Sequence, residues 1–186
     1  MASKMKNNTI LAISGSLRKH SYNTAAITAL KQLAPDSVEI VIGDISELPI
    51  FNPDRDDEEI PALEKLKGLL GECSGLIIAS PEYAHGISGP LKNALDWLVS
   101  GEEFPFKPIM LINTSPRASH AQAALREVLA TMSGDIIEHS CVTIPMLGSE
   151  LNCDGIVANQ EISTALIAAT DIFCNEIARL EAALLL

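Results

Sequence analysis

Pro81-Glu82-Tyr83-Ala84-His85-Gly86-Ile87-Ser88-Gly89-Pro90-Leu91-Lys92-Asn93-Ala94-Leu95-Asp96-Trp97 is the stretch that decides how this chain is read. The apolar run Leu76-Ile77-Ile78-Ala79 precedes it and has the length and composition of a buried strand. A polar, glycine-bearing loop follows, and then a helix opened by Pro90, because proline at a first helical position gives up no hydrogen bond. An irregular loop between a buried strand and a helix start is where open α/β sheets receive their ligands. The first predicted strand, residues 9–13, ends in a second such loop, Ser14-Gly15-Ser16-Leu17-Arg18-Lys19-His20-Ser21-Tyr22-Asn23. Two loops of this kind on neighbouring strands imply one shared site.

Outward from these loops, strand-like and helix-like periods alternate. Residues 38–42 are predicted as a second strand, 109–112 as a fully apolar fourth, and 136–144 as containing a fifth, interrupted by Glu138, His139 and Ser140. Helical patterns cover residues 23–34, 61–73, 90–99 and 118–132, the last closed by Gly134 as a C-cap. A final helix over about 158–184 carries Ile162, Leu166, Ala169, Phe173, Ile177, Leu180 and Leu184 on one stripe. Repeated alternation of this kind argues for a parallel sheet covered by helices on both faces. Strands one, three and four are continuously apolar and belong in the centre; strands two and five carry polar breaks and belong at the edges. The flavodoxin-like order 2-1-3-4-5 satisfies that sorting, and its switch point falls between the two strands that carry the loops. The expectation is a three-layer α/β sandwich with a five-stranded parallel sheet, forming a single domain over residues 1–186.

The totals exclude several function classes. A net charge of −11 over 186 residues opposes general affinity for nucleic acid or anionic membranes, which need clustered Lys and Arg. No apolar run approaches the roughly 20 residues that span a bilayer, and no signal-like segment precedes the first strand, so a cytoplasmic protein is expected. Cys73, Cys141, Cys153 and Cys174 form no CxxC pair and are read as reduced thiols, and neither they nor the histidines have zinc-ligand spacing, so no metal is expected. The acidic run 52–59 is read as a solvated loop ahead of a helix.

The first loop has the makings of a phosphate cradle. Ser16, Ser21 and Asn23 offer side-chain hydrogen bonds, Arg18 a guanidinium, Gly15 a tight turn, and the following helix its free N–H groups. An ordinary cap, with Ser21 or Asn23 closing the helix start, explains the same residues. There is no GxxxxGK[ST] loop and no three-glycine dinucleotide fingerprint; Asp44 is read as a turn residue. In the second loop, prolines and glycines fix backbone whose unpaired N–H and C=O groups can read the edge of a planar heterocycle, with Tyr83 stacking or closing the pocket. Lys92, Asn93 and Asp96 fall on the following helix, and Trp97 in the core.

The first loop, Pro81-Glu82-Tyr83 and Gly89-Pro90-Leu91-Lys92-Asn93-Ala94-Leu95-Asp96-Trp97 together resemble the NAD(P)H-dependent FMN reductase family, which includes quinone, chromate and azobenzene reductases. The resemblance runs over nearly the whole chain. It implies non-covalent FMN, and hydride passing from NADPH or NADH through flavin N5 to a quinone, flavin, azo compound or metal oxyanion. No protein group is required as a catalytic acid or base. By that similarity Ser16, Arg18, Ser21 and Asn23 hold the FMN phosphate, with Ser14 and Tyr22 of the same loop among the cofactor-binding residues. Pro81, Glu82, Tyr83, Ala84, His85 and Gly86 surround the ring and ribityl chain, and Ser115 and Pro116, in the loop Thr114 to Arg117, supply a third contact. Homodimers or homotetramers are implied. Two positions depart from the family pattern: Ala84 replaces a common Asn, removing an amide that could hold the flavin, and Ser119-His120 replaces a glycine pair.

Two other classes fit the sequence less well. A flavodoxin-type electron carrier without its own NAD(P)H turnover shares the fold, but usually has a threonine-rich phosphate loop unlike residues 14–23. A hydrolase using Cys141 or Ser16 lacks any GxSxG elbow.

Overall fold

The computed structural model describes residues 8–183. Its main sheet is built from β1 (Asn8–Ser14), β2 (Val38–Gly43), β3 (Gly75–Ala79), β6 (Pro108–Asn113) and two short pieces, β7 (Asp135–Ile136) and β8 (Val142–Thr143). A separate two-stranded ribbon, β4 (Glu82–Tyr83) and β5 (Gly86–Ile87), lies between β3 and the next helix. The order is β2-β1-β3-β6, with β7 and β8 both parallel to β6 at the edge. This is the flavodoxin-like order expected from the sequence.

Alternation along the central strands sorts two cores. Leu11 and Ile13, Leu76 and Ile78, and Ile109 and Leu111 point to one face. There they meet α2 (Pro61–Glu72), α3 (Gly89–Leu98) and α4 (Ser119–Thr131). Ile10 and Ala12, Ile77 and Ala79, and Met110 and Ile112 point to the other, against α1 (Tyr22–Leu33), α5 (Cys153–Ala158) and α6 (Gln160–Ala183). Strands buried on both faces must be apolar at every position, which is why β1, β3 and β6 read as unbroken runs. The stripe of the last helix is buried at Ile162, Leu166, Ala169, Phe173 and Ile177; Leu184 lies outside the described residues.

Two expectations are corrected. The fifth strand is two pieces, because between them Glu138 and His139 turn to partners on opposite faces while Ser140 is buried against the local backbone. Glu138 pairs with Arg126 of α4 at 3.0 Å, His139 with Glu176 of α6 at 3.4 Å, and Ser140 Oγ donates to the Ile137 carbonyl at 2.8 Å. A short 3-10 helix, Glu138–Ser140, replaces the ladder there. The final helix, α6, starts within two residues of its expected position, at Asn159, whose side chain accepts from the Ile162 amide at 3.1 Å, and the short α5 precedes it. Gly134 is not the left-handed cap of α4: Ser133 takes that position with φ 60. The Gly134 amide reaches the Leu129 carbonyl and the Ser133 amide the Ala130 carbonyl, the two bonds of a Schellman ending. Glycine is needed at 134 for space, since a Cβ there would sit 2.6 Å from Ile109 Cδ1.

Candidate functional site

β1 and β3 run parallel, with Ser14 paired to Ala79, so both loops leave the sheet at the same end. The Gly15 amide continues the ladder to the Ala79 carbonyl at 2.8 Å. Ser88, fully buried at the start of α3, donates to the Gly15 carbonyl and accepts from the Leu91 amide. One hydroxyl therefore locks the first loop to the second. A Cβ on Gly15 would lie 3.1 Å from Leu91 and 3.2 Å from Pro81, so a larger residue would have to displace these side chains.

Between them is a cavity of about 280 Å³, within which most of the sequence-derived residues converge. Ser16, Arg18, Ser21, Tyr22 and Asn23 line it from the first loop, Pro81, Glu82 and Tyr83 from the second, and Ser115 from the loop after β6. Ser14, Ala84, His85, Gly86 and Pro116 do not line it. Thr114 and Arg117 do, together with Ser80, Ala118 and Leu147, which the sequence reading had not marked. Leu147 arrives from beyond β8, and no local pattern ties it to loops more than thirty residues upstream.

The hydrogen bonds leave a coherent set of donors facing the cavity. Ser16 Oγ accepts from the Arg18 amide at 3.4 Å, and Ser21 Oγ, the N-cap of α1, accepts from Thr24 at 3.3 Å. A hydroxyl used as an acceptor keeps its O–H to donate. Asn23 Oδ1 takes the Thr114 hydroxyl at 3.0 Å, which fixes the side chain and frees its NH₂ group. The Tyr22 and Asn23 amides, in the first turn of α1, have no acceptor within the helix. Two hydroxyls, an amide NH₂, a helix N-terminus and the Arg18 guanidinium form a donor-only array that fits a phosphate dianion. Ser14 is spent elsewhere, its Oγ 2.8 Å from Thr24 Oγ1.

The second loop is more built than its sequence indicated. Ala84 and His85 have φ 49 and 58, the two left-handed residues of a two-residue turn joining β4 to β5. Such turns favour Asn at the first position, so Ala84 changes the backbone strain of a turn rather than a group lining the cavity. Glu82 holds this ribbon in place: Oε2 accepts from the Ala121 amide at 2.8 Å, and Oε1 lies 3.1 Å from His85 Nδ1. Ala118 gives α4 no side-chain cap, and Glu82 supplies one from another part of the chain. The Ala121 amide, followed by His85, holds the Glu82 carboxyl below the usual glutamate range. His120 packs edge-on against His85, ring centroids 4.5 Å apart, away from the cavity. Tyr83, at 46% exposure, stands at the rim.

The run Lys92 to Trp97 serves the scaffold. Asn93 accepts from the Phe51 amide and donates to the Pro49 carbonyl, which also accepts from Trp97 Nε1 at 2.8 Å. Burial pushes all four cysteine thiols up, Cys174 to about 11, which leaves Cys141 no character of a nucleophile. Asp44 accepts from the Ser46 amide, as a turn residue does. No helix of the described residues is long and apolar enough to cross a membrane.

The profile of the family described as NADPH-dependent FMN reductase matches residues 8–147, the segment that carries all three loops. The chain belongs to that family. An NAD(P)H-dependent FMN reductase of Pseudomonas aeruginosa is 37% identical over 126 residues, covering 64% of this chain and 68% of that protein. A quinone reductase of Escherichia coli K12 is 32% identical over 145 residues, covering 74% and 76%. Among solved structures, FerB, a flavoenzyme NAD(P)H:(acceptor) oxidoreductase from Paracoccus denitrificans, superposes with a TM-score of 0.82 at 27% identity, over 92% of this chain and 98% of that one. In this member of the family, the loop at residues 14–23 and the Pro81-Glu82-Tyr83 segment line one cleft at the carboxyl ends of β1, β3 and β6.

Proposed function

We propose that this chain is an NAD(P)H-dependent FMN oxidoreductase that reduces a quinone or a similar small electron acceptor, and that FMN occupies the cleft between the first and second loops. The observation that carries the reading is the donor-only array of Ser16, Arg18, Ser21, Asn23 and the α1 N-terminus beside a cleft rimmed by Tyr83. FMN held by Ser16, Arg18, Ser21 and Asn23 would supply the hydride-transfer chemistry between a nicotinamide and the acceptor.

The protein's part is to bind, orient and exclude water. Ser16, Arg18, Ser21 and Asn23 neutralise and anchor the phosphate against a chain of net charge −11. Backbone of residues 80–83, held to α4 by the Glu82 side chain, presents a fixed edge to the ring system. Ser115 and Arg117 face the same space from the third loop. No side chain in the cleft is required to move a proton. The reading places the enzyme in the cytoplasm as one domain that self-associates as a homodimer or homotetramer. Leu17 and Leu147, at 53% and 54% exposure, are apolar surface near the cleft for a second subunit to cover.

The test is to load purified protein with FMN, remove free flavin, and follow NADPH and NADH oxidation with a quinone acceptor. Retained flavin with rapid acceptor-dependent oxidation is expected. Retained flavin without any nicotinamide oxidation would instead make the protein an electron carrier.

A further inference from the structure

Asn23 and Thr114 lie 91 residues apart in sequence and meet in the wall of the cavity, where the Thr114 hydroxyl donates to Asn23 Oδ1 at 3.0 Å. Each is only 5% exposed. Neither side chain serves its own element. Ser21 caps α1, so the Asn23 side chain, second in that helix, has no capping task. β6 ends at Asn113, and Thr114 is fixed beyond it through its backbone, its carbonyl accepting from the Met146 amide at 3.1 Å. The Asn23 NH₂ group makes no hydrogen bond among the described residues and is not sealed within the protein, so it opens onto the cleft.

A primary amide has a donor end and an acceptor end, and burying either one unpaired is costly. The Thr114 hydroxyl satisfies the inner oxygen, so the amide stands with its NH₂ outward and leaves no buried acceptor without a partner. Turned over, the same side chain would aim carbonyl lone pairs at an oxyanion and break the donor-only character of the cradle. Among the described residues, Thr114 makes the one side-chain hydrogen bond to Oδ1. The choice between the two orientations therefore rests with a single hydroxyl on the far side of the cleft.

We propose that Thr114 is a positioning residue for the flavin phosphate: by orienting Asn23 it keeps the cradle a site of donors alone and strengthens the preference of the cleft for FMN over riboflavin. It acts through Asn23 and carries no part of the redox chemistry. This inference rests on the FMN reading of the cavity.

The experiment is a fluorescence-quenching titration of flavin-free protein with FMN and with riboflavin, for the wild type, Thr114→Val, Thr114→Ser, Asn23→Ala and the double variant Thr114→Val with Asn23→Ala. The wild type is expected to bind FMN more tightly than riboflavin. Thr114→Val keeps the shape of the side chain and removes its hydroxyl, so FMN should weaken about tenfold, the loss of one donor to a charged acceptor. Riboflavin should move less than about twofold, which also shows that the variant is folded. Thr114→Ser restores the hydroxyl and should bind FMN within about twofold of the wild type. In the Asn23→Ala background, adding Thr114→Val should change FMN affinity less than about twofold, because the hydroxyl then has nothing to orient. Should Thr114→Val fail to fold, Thr114→Ala removes the same hydroxyl and the same comparisons decide. Equal losses for FMN and riboflavin, no loss of either, no rescue by serine, or an undiminished effect in the Asn23→Ala background each overturn the proposal and leave the FMN reading intact. Failure of the wild type to bind FMN overturns the two together.

Discussion

Ser88→Ala tests whether one buried hydroxyl holds the two loops of the cleft together. Ser88 is 0% exposed, and its Oγ both donates to the Gly15 carbonyl and accepts from the Leu91 amide at 3.4 Å. Alanine leaves the Gly15 carbonyl without this donor in a dry environment, which costs about 1–3 kcal/mol. It also removes the cap of α3, where the long 3.4 Å bond argues for the lower end, about 0.5 kcal/mol. The sum is about 1.5–3.5 kcal/mol, which for a domain of this length lowers Tm by about 3–14 °C. Ser88→Gly separates the two parts: glycine is nearly as good a cap as serine, so the loss it retains belongs to the Gly15 bond. Urea unfolding gives the stability change, and FMN titration of the same samples gives the effect on the cleft, which should weaken in both variants. If both variants unfold within about 0.5 kcal/mol of the wild type and bind FMN unchanged, the loops are held by something else.

Arg18→Ala removes a charge-assisted phosphate contact, so FMN affinity should fall about ten- to a hundredfold while riboflavin, lacking the phosphate, is unaffected; equal losses for both would displace Arg18 from the cradle. Ala84→Gly relieves a left-handed alanine and should leave stability equal or raise it by up to about 1 kcal/mol, whereas a valine at 84 should lower it, as thermal melts will show. The carboxylate form of Glu82 is favoured in the folded protein, so its stabilisation is full above the ordinary value of 4.5 and is lost as pH falls through the lowered folded value. Glu82→Gln should therefore melt below the wild type at neutral pH, with the gap closing on acidification; a gap that widens in acid would contradict the Ala121 contact. Gly134→Ala drives a methyl into Ile109 and should destabilise by about 1–3 kcal/mol in urea.

The sheet order was legible because its cause is repeated: the three central strands carry unbroken apolar runs where they are buried on both faces, at residues 10–13, 76–79 and 109–112, and the edge strands do not. The two site loops were legible because each begins where such a run stops. What could not be read depends on partners distant in sequence. The triplet Glu138-His139-Ser140 announces a break but not its form, which Arg126 and Glu176 decide from two different helices. Glu82 is placed in sequence among the cofactor-binding residues, and only its 39-residue reach to the Ala121 amide shows that its side chain caps α4. Ser88 is one serine before a helix until its link to Gly15 is seen. Gly134 was assigned to dihedral freedom when side-chain packing, against Ile109, is what requires it. Ala84 was weighed as a lost ligand group, while its position in a tight turn makes it a question of backbone strain.

The central claim is that FMN lies in the cleft at the carboxyl ends of β1 and β3 with its phosphate on the loop at residues 14–23. A crystal structure of the flavin-loaded protein measures this directly. The account predicts phosphate oxygens within hydrogen-bonding distance of Ser16, Arg18 and Ser21, with the ring system against residues 80–83. A flavin bound elsewhere, or one lying in this cleft with its phosphate directed away from Arg18 into solvent, would contradict it.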